Sequence, residues 1–157
     1  MIRRLAGLAL AVAGLAGCAQ GGPAPAGFSQ SGVRVEAVLE AGQLVVTLTP
    51  DPGFHVYSID LPADGIDGLG RPTVVRPLVG LEATGALRAD RPVVAERPAG
   101  LEVTLPVYPE GPVTIRLPVR SVTGADPEIA VSYAACSDRT CLAPVSGRRI
   151  RLARTES

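Results

Sequence analysis

Cys136 and Cys141 are the residues whose type and spacing best suit chemistry, in the run Tyr133-Ala-Ala-Cys-Ser-Asp-Arg-Thr-Cys-Leu-Ala-Pro144. Four intervening residues can turn the chain back so that the two α-carbons fall within the roughly 4.4 to 6.8 Å that a disulfide needs. Such a pair is either a hairpin staple in an exported domain or a dithiol that exchanges with other disulfides, and the spacing leaves both readings open. A loop this short stabilises by only about 2 kcal/mol on the loop-entropy model, so stability alone is a weak reason for it. His55 is the single histidine of the chain. A zinc site made from it and the two thiols lacks a fourth ligand, and a cysteine–histidine hydrolase would need an orienting residue and an oxyanion hole that cannot be named. We therefore expect no metal and no cofactor.

The third cysteine, Cys18, follows a different kind of segment. Arg3 and Arg4 precede an uncharged run from Leu5 to Gly17. Those thirteen residues would span about 20 Å as a helix, short of the roughly 30 Å of hydrocarbon in a bilayer, so residues 1–17 read as a secretory signal. Its end, Leu15-Ala16-Gly17-Cys18, resembles the lipobox of bacterial lipoproteins. That resemblance implies cleavage before Cys18, a lipid on its sulfur and acylation of the new amino terminus, which together would hold the protein at a membrane. Residues 18–32 carry no charge and little apolar bulk and are expected to be a flexible tether.

The full chain has 157 residues, with 15 Lys+Arg against 15 Asp+Glu. This removes the electrostatic basis for nucleic-acid binding. Without Arg3 and Arg4 the balance is 13 basic against 15 acidic residues, a net charge of −2.

The elements that must position the pair have period two. Val113, Ile115, Leu117 and Val119 alternate with Thr114, Arg116, Pro118 and Arg120, and the same rhythm runs through 44–49 and 129–135. Further strands are expected near 33–39, 55–59, 73–76, 101–107 and 148–153. Pro106, Pro109, Pro112 and Pro118 should bound short strands, since proline cannot donate to a ladder. About seven to ten short strands in roughly 125 residues fit an all-β, immunoglobulin-like antiparallel sandwich over residues 33–153, with 154–157 as a tail. A thioredoxin fold is disfavoured, because it requires strands alternating with helices. In this phase Cys136 lies opposite Ile129, Val131 and Tyr133, which predicts a thiol leaving the core side near the surface.

Two longer stretches carry a resemblance. Asp51-Pro-Gly-Phe-His-Val-Tyr-Ser58, then Arg71-Pro-Thr-Val-Val75, and the Tyr-x-x-Cys-x4-Cys-Leu-x-Pro element from Tyr133 to Pro144 resemble the N-terminal periplasmic domain of DsbD-type thiol:disulfide interchange proteins over about residues 33–152. The resemblance implies an immunoglobulin-like domain with an active-site cysteine hairpin and protein-disulfide reductase chemistry. It would take electrons from a thioredoxin-like domain and pass them to exported disulfide isomerases or cytochrome c maturation thioredoxins. Carried over by position, Cys141 forms the mixed disulfide and Cys136 resolves it. Family members fused to a membrane domain hold the whole relay in one chain; here the donor is expected to be a separate protein and the lipid on Cys18 the anchor. The protective cap corresponds to about Val94 to Leu101, which lacks an aromatic, so shielding is expected to be weaker or to come from Leu101. His55 and Tyr57 match the pattern but read as structural, with Tyr57 in the core and His55 hydrogen-bonded. Asp138 and Arg139 would pull a thiol pKa in opposite directions. The rival to the exchange role is a non-catalytic immunoglobulin-like lipoprotein, monomeric like the first, with a purely structural bridge.

Overall fold

The computed structural model describes residues 24–122 and 124–154. The strands are β1 (Ala26–Gln30), β2 (Val33–Glu40), β3 (Gln43–Pro50), β4 (His55–Tyr57), β5 (Val74–Val79), β6 (Leu81–Ala83) and β7 (Arg88–Ala89). They continue with β8 (Val94–Glu96), β9 (Leu105–Tyr108), β10 (Val113–Ser121), β11 (Glu128–Tyr133), β12 (Ala135–Cys136) and β13 (Val145–Arg151). The expected signal segment, Cys18 and residues 155–157 of the expected tail lie outside the described residues. No helix among the described residues is long and apolar enough to cross a membrane.

Alternation dictates the architecture. In β2, β3 and β10 every second side chain is aliphatic, and the antiparallel register sets Val35 and Val113 beside Leu48, and Ala37 and Ile115 beside Val46. This layer extends to β1 and β6 at its margins in the order β1-β2-β3-β10-β6, with β7 also on β10. A second sheet, β13-β11-β5, turns Ile129, Val131, Tyr133, Val145, Ile150 and Val75 onto it. The two layers enclose the main core of an antiparallel β-sandwich, each buried Val, Leu or Ile contributing roughly 1.5–3 kcal/mol. The expected all-β sandwich is the fold found. The ladder is interrupted where sequence says it must be: Pro118 sits inside β10 rather than bounding it, and its carbonyl accepts from Thr84 N–H. In an antiparallel strand a residue's N and C=O point to the same neighbour, so the missing donor faces the gap between β6 and β7.

Two expectations need correction. Residues 26–30, assigned to a flexible tether, form β1 and pair with β2 through five register positions from Ala26↔Ala37 to Gln30↔Val33. The link is a two-residue hairpin, Ser31-Gly32, with both φ values positive (48° and 66°), the geometry whose twist suits a β-hairpin. Phe28 supplies the apolar contact, stacked 6.4 Å from Tyr133 and covered by the Arg148 guanidinium 5.5 Å from its centroid. Tyr133 O–H donates to Gln30 C=O at 2.7 Å, and burial pushes the phenol's pKa up to about 12. The second correction is the strand number, thirteen among the described residues. Besides β1, the additional ones are β6, β7, β8 and β12, which have only two or three residues each and are too short to show a period.

Candidate functional site

The third sheet, β12-β4-β9-β8, builds the site. β12 leaves the end of β11 and pairs with β4, placing Cys136 across from His55 and Ala135 across from Val56. The chain then reverses in a tight hairpin. Ser137 N–H donates to Thr140 C=O and Leu142 N–H to Ala135 C=O, while Ser137 Oγ accepts from the N–H groups of Arg139 and Thr140. These bonds flank Cys136 and Cys141, which therefore face each other as a non-hydrogen-bonded antiparallel pair. In such pairs the α-carbons approach most closely. Their separation is 4.0 Å, just below the range that the spacing suggested, and the two sulfurs are bonded to one another.

The two sulfurs are not equivalent. Cys136 is 3% exposed, whereas Cys141 is open to solvent. The sequence phase predicted the opposite for Cys136, and the reason is physical. Cys136 does face away from the main core, but that other face is covered by a second, smaller core of Tyr57, Leu61, Val103, Leu105, Val107 and Ala134. Alternation shows which residues share a face; it does not show that the far face is wet.

Tyr57 forms the floor of the site. Its hydroxyl lies 3.1 Å from Cys136 Sγ and 4.0 Å from Cys141 Sγ, and its phenol pKa is raised, first by burial and then by the Glu96 carboxylate. Thr73 O–H fixes the strand beneath by donating to Tyr57 C=O at 2.6 Å. Gly70 lets the 65–70 turn close over the ring: a Cβ there would lie 2.8 Å from Leu61 Cδ2 and 3.2 Å from Tyr57 Cε1, at a φ of +78°. His55 is buried, edge-on to the Tyr57 ring, with Nδ1 3.2 Å from Glu96 Oε2. Burial lowers its pKa, against the opposing pull of Glu96, Glu110 and Asp138. No hydrogen bond among those of the described residues joins His55 to either sulfur. Among the described residues no cluster of three or more His, Cys, Asp or Glu is arranged to hold a metal ion.

The segment expected to act as a cap runs from β8 through a turn closed by Leu101 N–H donating to Pro98 C=O. This segment contributes Pro98, not an aromatic, to two recesses that also share Tyr57, Leu105 and both cysteines in their walls. One is a cleft of about 330 Å³ lined by Leu69, Leu101, Leu105, Leu142 and Pro144, whose wall includes Cys136 and Cys141. In the other, His55 and Glu96 close a small volume of about 30 Å³ against the same sulfurs. Leu69, Gly70, Glu96 and Pro98 were not singled out from the sequence. The glycines of the 65–70 turn were the available signal, since a run of positive φ values marks a close backbone approach. Asp138 and Arg139 occupy the exposed hairpin tip.

No protein-family model matches this chain, and no curated protein matches it. Solved structures do. The N-terminal domain of DsbD from Neisseria meningitidis, in its reduced form, superposes with a TM-score of 0.51 at 11% identity, covering 76% of this chain and 90% of that one. The N-terminal periplasmic domain of ScsB from Proteus mirabilis gives a TM-score of 0.42 at 15% identity, covering 73% of this chain and 44% of that one. The fold is that of a DsbD-type N-terminal domain, an immunoglobulin-like sandwich.

Proposed function

We propose that this chain is an exported thiol:disulfide exchange protein that passes reducing equivalents between thioredoxin-like partners through the Cys136/Cys141 couple. Residues 1–17 are the export signal, lipid on Cys18 anchors the product at the extracytoplasmic face of a bacterial membrane, and residues 19–25 link the anchor to β1. The observation that carries the exchange role is the inequality of the sulfurs, one exposed and one buried within hydrogen-bonding reach of a tyrosine hydroxyl.

Exchange needs an accessible sulfur to be attacked and a leaving sulfur that the protein retains. A donor thiolate attacks Cys141 Sγ, the intramolecular S–S bond breaks, and its electron pair goes to Cys136 Sγ, which the Tyr57 hydroxyl faces. A second donor thiolate then displaces Cys141 from the mixed disulfide, leaving the domain as a dithiol and the donor as a disulfide. In the forward direction the Cys141 thiolate attacks an acceptor disulfide. Cys136 then attacks Cys141 Sγ, releasing the acceptor's second thiolate and closing the ring. Two electrons pass in each half, and each released thiolate takes a proton from water.

Single-cysteine variants test this reading. Cys136→Ser should accumulate mixed disulfides with thioredoxin-like proteins, and Cys141→Ser should not. If neither variant traps any partner, and the bridge has a reduction potential below about −300 mV, the pair is a staple and the exchange role fails.

A further inference from the structure

The surfaces around the two recesses differ in chemistry. The 330 Å³ cleft is walled by leucines and prolines from three separate segments, with Arg71 its single charged lining residue, and that guanidinium is turned back onto the carbonyls of Gly70 and Asp64. Leu101 at its lip is 41% exposed. On the His55 side the surface carries Glu96, Glu110 and Asp138 against Arg97. A volume at the lower limit for small-molecule sites suits one large side chain better than a cofactor.

Its position decides whose side chain. Thiolate attack on a disulfide proceeds in line with the bond being broken, so whatever reacts at Cys141 Sγ approaches from the side away from Cys136. The residues flanking the attacking cysteine then lie on the surface around Cys141, and the open apolar recess touching that sulfur is this cleft. Leaving it filled by water would keep five apolar walls wet beside the reacting bond, and an apolar side chain removes that cost. The acidic surface on the His55 side is complementary to a cation and fixes which way round the partner lies.

We propose that the Leu69–Leu101 cleft is a specificity subsite that receives a bulky apolar side chain adjacent to the partner's reactive cysteine, while the Glu96–Asp138 surface favours a cationic side chain on the cysteine's other flank. This rests on the exchange reading above and adds what kind of partner sequence it selects.

The test uses the reduced full-length protein and short peptides whose single cysteine is held as a mixed disulfide with thionitrobenzoate. Cys141 attacks the peptide sulfur and expels thionitrobenzoate, read by its colour. Cys136 then displaces the peptide thiol and regenerates the protein disulfide, so one mixed disulfide is reduced per dithiol oxidised. A peptide with Trp beside the cysteine and Arg on the other flank should react about tenfold faster than one with Asp in place of Trp. In Leu101→Asp, an exposed site whose substitution leaves both cores intact, that ratio should fall to about one. Replacing the peptide's Arg by Glu should slow the wild type severalfold at low salt and much less at high salt. Equal rates for the Trp and Asp peptides, or a ratio that survives both Leu101→Asp and Leu69→Asp, overturn the subsite while exchange itself stands. No release of thionitrobenzoate from any peptide overturns the exchange reading, and the subsite with it.

Discussion

The main core and the second core are built by opposite means. The main core joins long, evenly alternating strands, with Leu44, Leu48, Val46, Val35 and Val113 all 0% exposed. The second joins three- and four-residue strands and turns from distant parts of the chain, and its members include a cysteine of the reactive pair. The first is mostly aliphatic, with Tyr108 and Tyr133 buried among its Val, Leu and Ile side chains; the second holds Tyr57 and Cys136 and borders a cleft. The contrast separates stability from chemistry within one small domain: the large core can hold the sandwich rigid while the small one exposes one sulfur and shelters the other.

The largest expected effect breaks the first region alone. Leu48→Ala should lower unfolding free energy by about 2–5 kcal/mol in urea titrations, because the packed neighbours from β2 and β10 cannot collapse onto the void. The rate of exchange at Cys141, measured on the folded fraction, should stay at the wild-type value. A comparable loss of exchange rate would mean that the two cores are one mechanical unit. Next comes the bridge. Opening it with a reductant should cost about 2 kcal/mol of stability, the loop-entropy value for a ring closed by a sequence separation of five. Calorimetry of oxidised and reduced protein measures this, and a loss well above that figure would favour a structural staple.

What could be read from the sequence follows the same division. β2, β3, β10 and β11 announce themselves by alternation, because one face of each is fully buried against the opposite sheet. The cysteine pair is visible at once as two residues able to form a disulfide, which the structure contains. Its burial is not, because the cover over Cys136 comes from Leu61, Val103 and Leu105, which no local period connects to residues 134–136. β1 was also hidden by its Gly, Ser and Gln content. The Ser31-Gly32 dipeptide ahead of an alternating strand was a hairpin signal that outweighed that composition.

Smaller effects sharpen the description of the second core. Gly70→Ala should destabilise by about 1–3 kcal/mol, since it combines a left-handed φ with contact on Leu61 and Tyr57. Unlike Leu48→Ala, it should also alter exchange, by pressing Tyr57 toward the sulfurs. Tyr57→Phe should cost about 1 kcal/mol, the usual worth of one hydrogen bond. If the hydroxyl supports the Cys136 thiolate, the variant's potential at a pH near 9 should become more negative by about 20 mV, since the reduced form loses a donor. An unchanged potential would leave Tyr57 as packing only.

The smallest expected effect concerns pH and again falls only on the second region. His55 has a pKa below its ordinary value of 6.5, chiefly through burial, with Glu96, Glu110 and Asp138 partly cancelling the shift. The unfolded chain therefore binds the proton more readily than the folded one. Stability from this group is present in full above pH 6.5 and is lost as pH falls through the lower folded value. Urea titrations at pH 7.5 and 5.5 should show this decline in the wild type, and His55→Gln should flatten it. Because His55 Nδ1 meets Glu96 in β8, the strand leading to Pro98, protonation also strengthens that ion pair. Exchange at Cys141 should then respond to pH differently in wild type and His55→Gln, whereas Leu48→Ala should follow the wild-type profile. A decline with the same slope in all three proteins would show that His55 does not couple the cap strand to the sulfurs.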